Sequence, residues 1–296
     1  MMQRVWQWSM IVGALLAFES FGGCRWSKVA RAEPGMSSHQ VTLWVGNQTK
    51  LQSLASFPFR QFVGKDPNFA SDPTQVFRGV PLQALVDKTP TRGTVLTVVA
   101  TDQYIYHDYY QNAVNAKAVL VFDSDGKPLP KTRGGPLTLM FAGEAPREQF
   151  IWYTKLIAVD PVDQRALLLP GSQQATVDQL QKWGEDLPVR LPIPRGWRHP
   201  DLVSKANSKP FYRGLPLDKL HQRLPGLAVA VAQDVAGNSL PFTRQEGWWL
   251  ATHKDKKPIA LSDGGPYIVF QLVDGKVRHA FFFVTQLTRG SSGKGL

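Results

Sequence analysis

The chain contains a single cysteine, Cys24, among its 296 residues. Without a second cysteine it forms no intramolecular disulfide. The region after Cys24 also has no thiolate, the ligand that soft metal ions prefer. The sequence therefore excludes a disulfide-stabilised fold and a thiolate-bound metal in the folded part of the chain.

The sequence also lacks the short motifs that mark common enzyme classes. It contains no Gly-x-Ser-x-Gly motif, no phosphate-binding loop and no dinucleotide-binding fingerprint. Five histidines show no metal-ligand spacing, and we interpret them as structural or surface residues: His39, His199, His221, His253 and His279.

The basic residues of the chain form no dense block. There are 34 Lys and Arg residues against 23 Asp and Glu, which gives a formal net charge of +11. These cations are scattered, without the interleaved aromatic residues typical of a nucleic-acid-binding surface. We therefore expect no nucleic-acid partner, but a general attraction to anionic partners or membrane surfaces.

The apolar segment near the N-terminus is short. It spans only the nine residues from Met10 to Phe18, whereas a membrane-spanning helix needs about twenty. Arg4 precedes the segment and Gly22-Gly23 follow it, which is the layout of an export signal. We therefore predict a signal peptide over residues 1–23 and an exported, periplasmic protein.

Two cleavage sites remain open. Phe21-Gly22-Gly23-Cys24 resembles a lipobox, in which Cys24 becomes the lipidated first residue and anchors the protein to a membrane surface. The alternative is simple secretion, with cleavage after Ala32 in Ala30-Arg31-Ala32. The region before that cleavage site would then be long and basic, because it contains Arg25, Lys28 and Arg31.

One motif occurs twice in the chain. Lys-Pro-(Leu/Ile)-x4-Gly-Gly-Pro spans residues 127–136 and again 257–266, an offset of 130 residues. Residues 77–82 match 212–217, residues 99–102 match 231–234, and residues 150–160 match 280–290. Four matches in the same order indicate a duplicated structural unit.

The repeat divides the chain into two units of ordinary domain size. We predict a linker over 24–40, a first domain over 41–160, a second and more degenerate copy over 161–290, and a flexible tail over 291–296. The second copy includes a proline-rich linker, 187–210, which we expect to be extended and to wrap against a domain surface.

The local patterns predict a mixed α/β fold that is richer in strand than in helix. Residues 41–45, 94–100 and 116–122 are rich in β-branched and apolar residues, as strands are. Pro81 begins a short helical pattern, and Thr176 has the spacing of a capping box before a helix at about 177–185.

Five motifs, in this order and spacing, resemble the oxidoreductase molybdopterin-binding domain, the fold of sulfite oxidases and periplasmic methionine sulfoxide reductases. The resemblance covers residues 41–160 and, more weakly, 171–290. It implies two tandem domains of this type, each with a pterin pocket in which a cysteine thiolate would bind molybdenum. The motifs are Phe77–Leu82, Thr101–Tyr104, Gly126–Leu129, Gly134–Leu137 and Trp152–Leu156.

The chain departs from this family where the chemistry would take place. The metal-binding cysteine would fall near Ala100-Thr101, and no cysteine is present there. Thr138 stands where the family has an arginine, and Ile151 where it has a lysine. Arg147 would remain from the loop that contacts the cofactor phosphate. The resemblance thus implies a scaffold without its thiolate and with a weakened grip on phosphate.

Two groups of residues are candidates for ligand binding. Tyr104, Tyr106, His107 and Asp108 follow the strand that carries the metal ligand in the family. Three interpretations stay open for them: a pocket mouth that binds a ligand, a catalytic His-Asp pair, or a surface loop with partly buried tyrosines. Arg133 with the amides of Gly134 and Gly135 would form an anion-binding nest, or else only a turn before Pro136.

These observations favour a non-catalytic protein that binds a small anionic ligand or a membrane-associated sensor or redox protein. We expect no cofactor, although molybdopterin is the one that the resemblance implies. The alternative is a molybdenum oxidoreductase that binds the metal without cysteine. A purely structural role for the duplication comes third, since a fold alone does not decide function.

Replacing Cys24 with serine tests the lipid anchor. If Cys24 is lipidated, the Cys24→Ser protein leaves the membrane fraction, because no acyl chain then holds it there. Cell fractionation of wild type and variant measures this, and mass spectrometry of the mature N-terminus is the control. A membrane fraction that the substitution leaves unchanged contradicts lipidation.

Overall fold

The computed structural model describes residues 39–66, 71–86, 91–143, 150–161, 166–187, 189–203, 210–223, 231–242 and 247–289. The predicted leader, Cys24 and Arg147 lie outside these residues. Within them, no helix is both long enough and apolar enough to cross a membrane. The described part of the chain is a strand-rich α/β protein with mixed sheets, as predicted.

The first half, residues 39–161, contains eleven strands and two short helices among its described residues. The strands are β1 (Gln40–Val45), β2 (Gln48–Ser53), β3 (Arg60–Gly64), β4 (Gln75–Pro81), β5 (Val95–Ala100), β6 (Ile105–Tyr109), β7 (Ala118–Ser124), β8 (Lys127–Pro128), β9 (Thr138–Phe141), β10 (Phe150–Ile151) and β11 (Thr154–Val159). The helices are α1 (Leu82–Leu85) and α2 (Tyr110–Asn115).

The second half, residues 166–289, adds eleven strands and two helices among its described residues. The strands are β12 (Leu167–Leu168), β13 (Gln174–Ala175), β14 (Glu185–Leu187), β15 (Gly196–Arg198), β16 (Tyr212–Pro216), β17 (Val231–Asp234), β18 (Ser239–Pro241), β19 (Trp248–Lys254), β20 (Lys257–Pro258), β21 (Tyr267–Val273) and β22 (Lys276–Thr288). The helices are α3 (Val177–Trp183) and α4 (Leu217–Arg223).

Helix α3 begins where the sequence predicted. Thr176 accepts a hydrogen bond from the backbone amide of Gln179, and the Gln179 side chain accepts one from the Thr176 amide, which completes a capping box. Helix α1 is short, as expected, but Pro81 is its N-cap and not its first helical residue.

Sheet one forms the middle layer of the molecule. Its strands run in the order β15-β6-β5-β11-β1-β2, with β1 parallel to β11 and β15 parallel to β6. Successive side chains of a strand point to opposite faces. Strand β11 therefore gives Ile157 and Val159 to one apolar core and Leu156 and Ala158 to another, so that both faces of the sheet are covered.

Sheet two covers one of these faces. It runs β10-β9-β7-β4-β3, with β8 beside β7, and all its described pairs are antiparallel. Val80, Leu120 and Leu139 of this sheet pack into the same core as Ile157. The first half is therefore a two-layer sandwich around one core.

Sheet three covers the opposite face of sheet one. It runs β13-β12-β22-β21-β19-β16-β14, with β17 beside β22, β18 beside β17 and β20 beside β19. Ala251, Ile268 and Phe270 share a core with Trp44 and Val99 of sheet one. The two halves of the chain thus bury a common apolar layer. The opposite face of sheet three packs against buried residues of α3 and α4.

The backbone of the two halves repeats in detail. In the first half, the amide of Thr101 donates to the carbonyl of Tyr153, whose own amide donates to the carbonyl of Gly134. In the second half, Val235 donates to Phe283 and Phe283 donates to Gly264 in the same way. The lysine-proline hairpins, β7-β8 and β19-β20, also pair alike.

The structure corrects one detail of the sequence alignment. The sequence matches Val99–Asp102 with Val231–Asp234. In the sheets, however, Ala100 pairs with Thr154 whereas Asp234 pairs with Val284. Asp234 therefore occupies the place of Ala100 and not that of Asp102.

The described part of the predicted proline-rich linker contains strand β15 and, after it, a short 3-10 turn at Pro200–Leu202. Its strand β15 belongs to the predicted second domain but pairs with β6 of the first half. Leu191, further back in the same linker, is buried in the core that the two halves share. The domain limits at 160 and 290 remain predictions.

Alanine in place of Gly135 or Gly265 tests whether the repeated turn constrains the fold. A Cβ atom at Gly135 would overlap the carbonyl oxygen of Leu129, and one at Gly265 would overlap that of Ile259. Because backbone atoms cannot move aside cheaply, we expect Gly135→Ala and Gly265→Ala each to lower the free energy of unfolding by about 1–3 kcal/mol or more. Urea unfolding measures the difference.

Gly64→Ala is the matched control. Its Cβ would meet only the rings of Phe62 and Phe77, at 3.7 Å, which is ordinary van der Waals contact. We expect an unfolding midpoint close to that of wild type. Equal stability of all three variants would contradict the steric argument.

Candidate functional site

Strand β6 separates the residues that the sequence grouped as one cluster. Tyr106 and Asp108 point into the core between sheets one and two, and both are fully buried. His107 lies between them in the chain and therefore points to the opposite face. His107 and Asp108 therefore lie on opposite faces of β6, and the structure does not bring the four residues together at one site.

Asp108 is held by groups of its own half. The Tyr106 hydroxyl donates to Oδ2 of Asp108 at 2.7 Å, and the Asn112 side chain donates to Oδ1 at 2.8 Å. The amide of Tyr109 also donates to Oδ1, at 2.7 Å. Burial raises the pKa of Tyr106 strongly, and the hydrogen bond to Asp108 adds to the shift. This network closes the core and leaves neither side chain directed at a ligand.

The ring of Tyr106 is the middle of an aromatic stack. It lies 5.4 Å from the ring of Phe141 and 5.1 Å from that of Trp197, with the Trp197 plane inclined by only 18°. Trp197 is in β15, directly opposite Tyr106 in the parallel pair. The stack fixes the linker strand against sheet one.

His107 contacts the second half of the chain. Its Nδ1 lies 2.8 Å from the hydroxyl of Thr97, and its ring lines a pocket of about 310 Å³ together with Leu261 and Ser262. Burial and, after it, the nearby Arg198 guanidinium lower the pKa of His107 to about 4, against the opposing charges of Asp263 and Asp108. The imidazole is therefore neutral near pH 7.

Tyr104 lies in the turn between β5 and β6 and is only partly buried. Its backbone amide donates to the Asp102 carboxylate at 3.1 Å, and its carbonyl accepts from the amide of Ala100. The side chain packs at the edge of the first core. It is not brought together with His107 at one site.

The proposed anion-binding nest is used by the turn itself. The amide of Gly134 donates to the carbonyl of Lys131, and that of Gly135 to the carbonyl of Pro130. Arg133 forms an ion pair with Asp72 at 2.6 Å. The two amides are therefore not available to an anion, and the structure favours the alternative in which these residues only shape a turn.

The second half covers the place where the family resemblance puts the metal ligand. Ala100 is buried, and the carbonyl of Thr101 accepts a hydrogen bond from Asn238 at 2.7 Å. Asn238 also donates to Asp234 at 2.8 Å, and Gln103 approaches the same carboxylate at 3.4 Å.

The donor set at this place does not suit molybdenum. Ala100 and Thr101 offer no soft ligand, and both backbone groups of Thr101 are already bonded. Elsewhere in the described ranges, no group of three or more His, Cys, Asp or Glu side chains is placed to hold a metal ion. The residues present do not fit the metal centre that the resemblance implies.

One large cleft was not predicted from the sequence. It has a volume of about 1150 Å³ and lies between α2 and residues 189–203, which we call the strap. Three cationic or titratable groups line it, together with two amides: Lys117, Arg198, His199, Asn112 and Asn115. None of the described lining residues is acidic.

Arg198 is positioned by the second half of the chain. Its Nε and Nη2 donate to the carbonyl of Ser262 at 3.1 and 3.0 Å, and Nη2 also donates to the carbonyl of Pro194 at 2.9 Å. Burial lowers the pKa of Arg198, and the charge of Asp263 opposes that shift. An arginine remains charged under these conditions.

His199 was interpreted from the sequence as a structural or surface residue. Its ring lies edge-on to Trp197 and Tyr109, and its amide donates to the carbonyl of His107 at 2.8 Å. Its Nδ1 is 3.8 Å from the carboxylate of Asp201. The signal for this site is the run Trp197-Arg198-His199, which is aromatic and basic and is enclosed by prolines.

The pH dependence of stability tests the environment of His107. Below about pH 6.5 an unfolded chain protonates this histidine, whereas the folded protein does so only near pH 4. The contribution of neutral His107 to the free energy of unfolding is therefore complete above pH 6.5. It is lost as the pH falls towards 4, by about 3 kcal/mol in all.

We expect His107→Gln to reduce the slope of unfolding free energy against pH between pH 4 and 6.5. Urea unfolding at several pH values between 4 and 7.5 measures this change in slope. The control is His279→Gln, which replaces an exposed residue of β22. His39 and His253, whose pKa values are also lowered by burial, contribute equally to all three proteins. The same slope in His107→Gln and wild type would contradict the assignment.

No protein-family profile matches the chain, and no curated protein sequence matches it. Among solved structures, the sulfane dehydrogenase SoxCD from Paracoccus pantotrophus is similar to it over 83% of this chain and 70% of that chain. The sequence identity is 11% and the TM-score 0.33. At this level the similarity concerns, at most, a distant relationship in fold.

Proposed function

We propose that this protein is an exported, non-catalytic binding protein that takes a small anionic ligand in the cleft between α2 and the strap. The observation that carries the proposal is the charge of the cleft. Lys117 and Arg198 line it, and no described lining residue is acidic. A desolvated anion is favoured where cations are not already neutralised.

The guanidinium of Arg198 supports this proposal. Its hydrogen bonds go to two backbone carbonyls, which orient it without neutralising its charge. It forms no ion pair with any described residue. Lys117 is exposed at the end of α2, on the opposite wall of the cleft. An anion between the two walls would be contacted from both sides.

The rest of the cleft suits the apolar body of such a ligand. Ile193, Trp197, Pro200 and Val203 all contribute to its walls. One face of the Trp197 ring is covered by Tyr106, so the surface that it gives to the cleft is left for a ligand. Sites for small molecules generally combine apolar walls with a few placed polar groups, in volumes of roughly 300–1,000 Å³.

The arrangement of reactive groups supports a non-catalytic role. Asp108 is enclosed in the first core, and His107 lies on the other face of β6. Ala100 and Thr101 lie where the family resemblance would place the thiolate, and the second half of the chain covers that position. General acid–base chemistry requires such groups to converge on one substrate position. A membrane-associated sensor or redox protein that reads the bound state remains our proposal for a partner.

The fluorescent probe 8-anilinonaphthalene-1-sulfonate, an aromatic anion, tests the cleft. We expect the folded protein to bind it with an affinity that falls as salt is added, because the contacts are charged. Lys117→Ala should weaken binding about tenfold, in line with the loss of one charged hydrogen bond. The control is Lys127→Ala, which removes an exposed lysine from β8, outside the cleft.

Equal loss in both variants would show that only the overall charge matters, and would overturn the cleft as the site. The molybdenum and pterin content of the same preparation, expressed in a cofactor-competent host, distinguishes the alternative function. Near-stoichiometric molybdenum and pterin would replace the binding proposal with an oxidoreductase. Their absence, together with the Lys117 effect, would support it.

A further inference from the structure

We propose that a second cavity, on the other side of the strap, binds a small zwitterion of the size of a free amino acid. The cavity has a volume of about 280 Å³ and lies between the strap and the second half of the chain. Its polar lining consists mainly of charged groups of both signs and one tyrosine: Arg190, Arg198, Lys254, Asp255, Asp263 and Tyr212.

Tyr212 points to a ligand at this position. The residue is only 1% exposed, yet its side chain lines the cavity. Its hydroxyl forms no hydrogen bond with a described residue and is not one of their fully enclosed unpaired polar atoms, so it opens into the cavity. A group held in the cavity can therefore form a hydrogen bond with this hydroxyl in place of water.

Positively and negatively charged side chains both lie near the Tyr212 hydroxyl. Burial and, after it, the carboxylates of Asp263 and Asp255 raise the pKa of Tyr212 to about 12, against the opposing charge of Arg190. These three charges are therefore close enough to Tyr212 for each to act on its hydroxyl.

The charged groups of the cavity are incompletely matched to one another. Lys254 and Asp263 form an ion pair at 2.8 Å, and Asp255 accepts a hydrogen bond from the amide of Phe211 at 3.0 Å. Arg198 donates only to carbonyls. A ligand with a single charge would leave groups of the other sign desolvated and unmatched, whereas a zwitterion satisfies both.

The cavity is distinct from the cleft of the proposed function. The two share Ile193, Arg198 and Val203, because the strap forms a wall of each. Lys117 belongs to the cleft alone, and Tyr212 belongs to the cavity alone. Substitutions at these two positions therefore test the two sites separately.

Calorimetric titration with four amino acids tests the inference: glycine, L-leucine, L-glutamate and L-arginine. We expect wild type to bind at least one of them. Tyr212→Phe should weaken that binding roughly five- to tenfold, since it removes one hydrogen bond. The Lys117→Ala variant should bind the amino acid as wild type does, whether or not the cleft binds an anion.

Tyr110→Phe is the matched control. Tyr110 is also fully buried and its hydroxyl also lacks a partner among the described residues, but it lies in the first core and not in the cavity. The Tyr110→Phe variant should bind the amino acid with wild-type affinity. This control separates loss of a ligand contact from a general effect of deleting a buried hydroxyl.

The ligand class is tested with singly charged analogues. If leucine binds, 4-methylpentanoate, which lacks the ammonium group, and 3-methylbutylamine, which lacks the carboxylate, should both bind at least tenfold more weakly. Full affinity of either analogue would overturn the assignment to a zwitterion. Binding of none of the four amino acids, or equal binding by Tyr212→Phe and wild type, would overturn the site itself.

Discussion

The apolar face that sheet one shares with sheet three is the constraint on which the rest of the structure depends. Trp44, Val99 and Leu156 from the first half meet Ile268 and Phe270 from the second. Because the other face of sheet one is buried against sheet two, its strands are covered on both sides. Hydrophobic burial of this kind is worth roughly 25 cal/mol for each Å² removed from water.

This packing also determines where polar groups of the two halves meet. It brings the turn after β17 against the turn after β5, where Asn238 bonds the carbonyl of Thr101. It brings Ser262 to Arg198, so that the strap is held by both halves. The cleft and the cavity described above both lie beside the strap, and neither is lined by Ala100 or Thr101, where the family resemblance would place a metal.

Much of the fold was predictable because it depends on local or repeated patterns. The repeat of lysine-proline hairpin and glycine turn, the strand-rich composition and the capping box of Thr176 are all properties of short stretches. The candidate site was less predictable. The separation of His107 from Asp108 follows from strand alternation, but the sequence alone does not say which face meets which core.

The cleft could not have been predicted from neighbouring residues. Its two walls, near Lys117 and near Arg198, are about 80 residues apart in the chain, and the parallel pairing of β15 with β6 brings them together. No periodicity encodes a pairing of that range. The alignment error at Asp234 also concerns long-range pairing, because only the register against Thr154 and Val284 shows that Asp234 is equivalent to Ala100.

The position of β15 in sheet one has a consequence for synthesis of the protein. A ribosome completes residues 39–161 well before it reaches Gly196–Arg198, so the edge of β6 waits without its partner strand while the chain grows. Unpaired strand edges and uncovered apolar faces are the surfaces through which nascent chains associate wrongly. Until the second half has emerged, the first half therefore exposes the β6 edge and the face of sheet one that packs on sheet three.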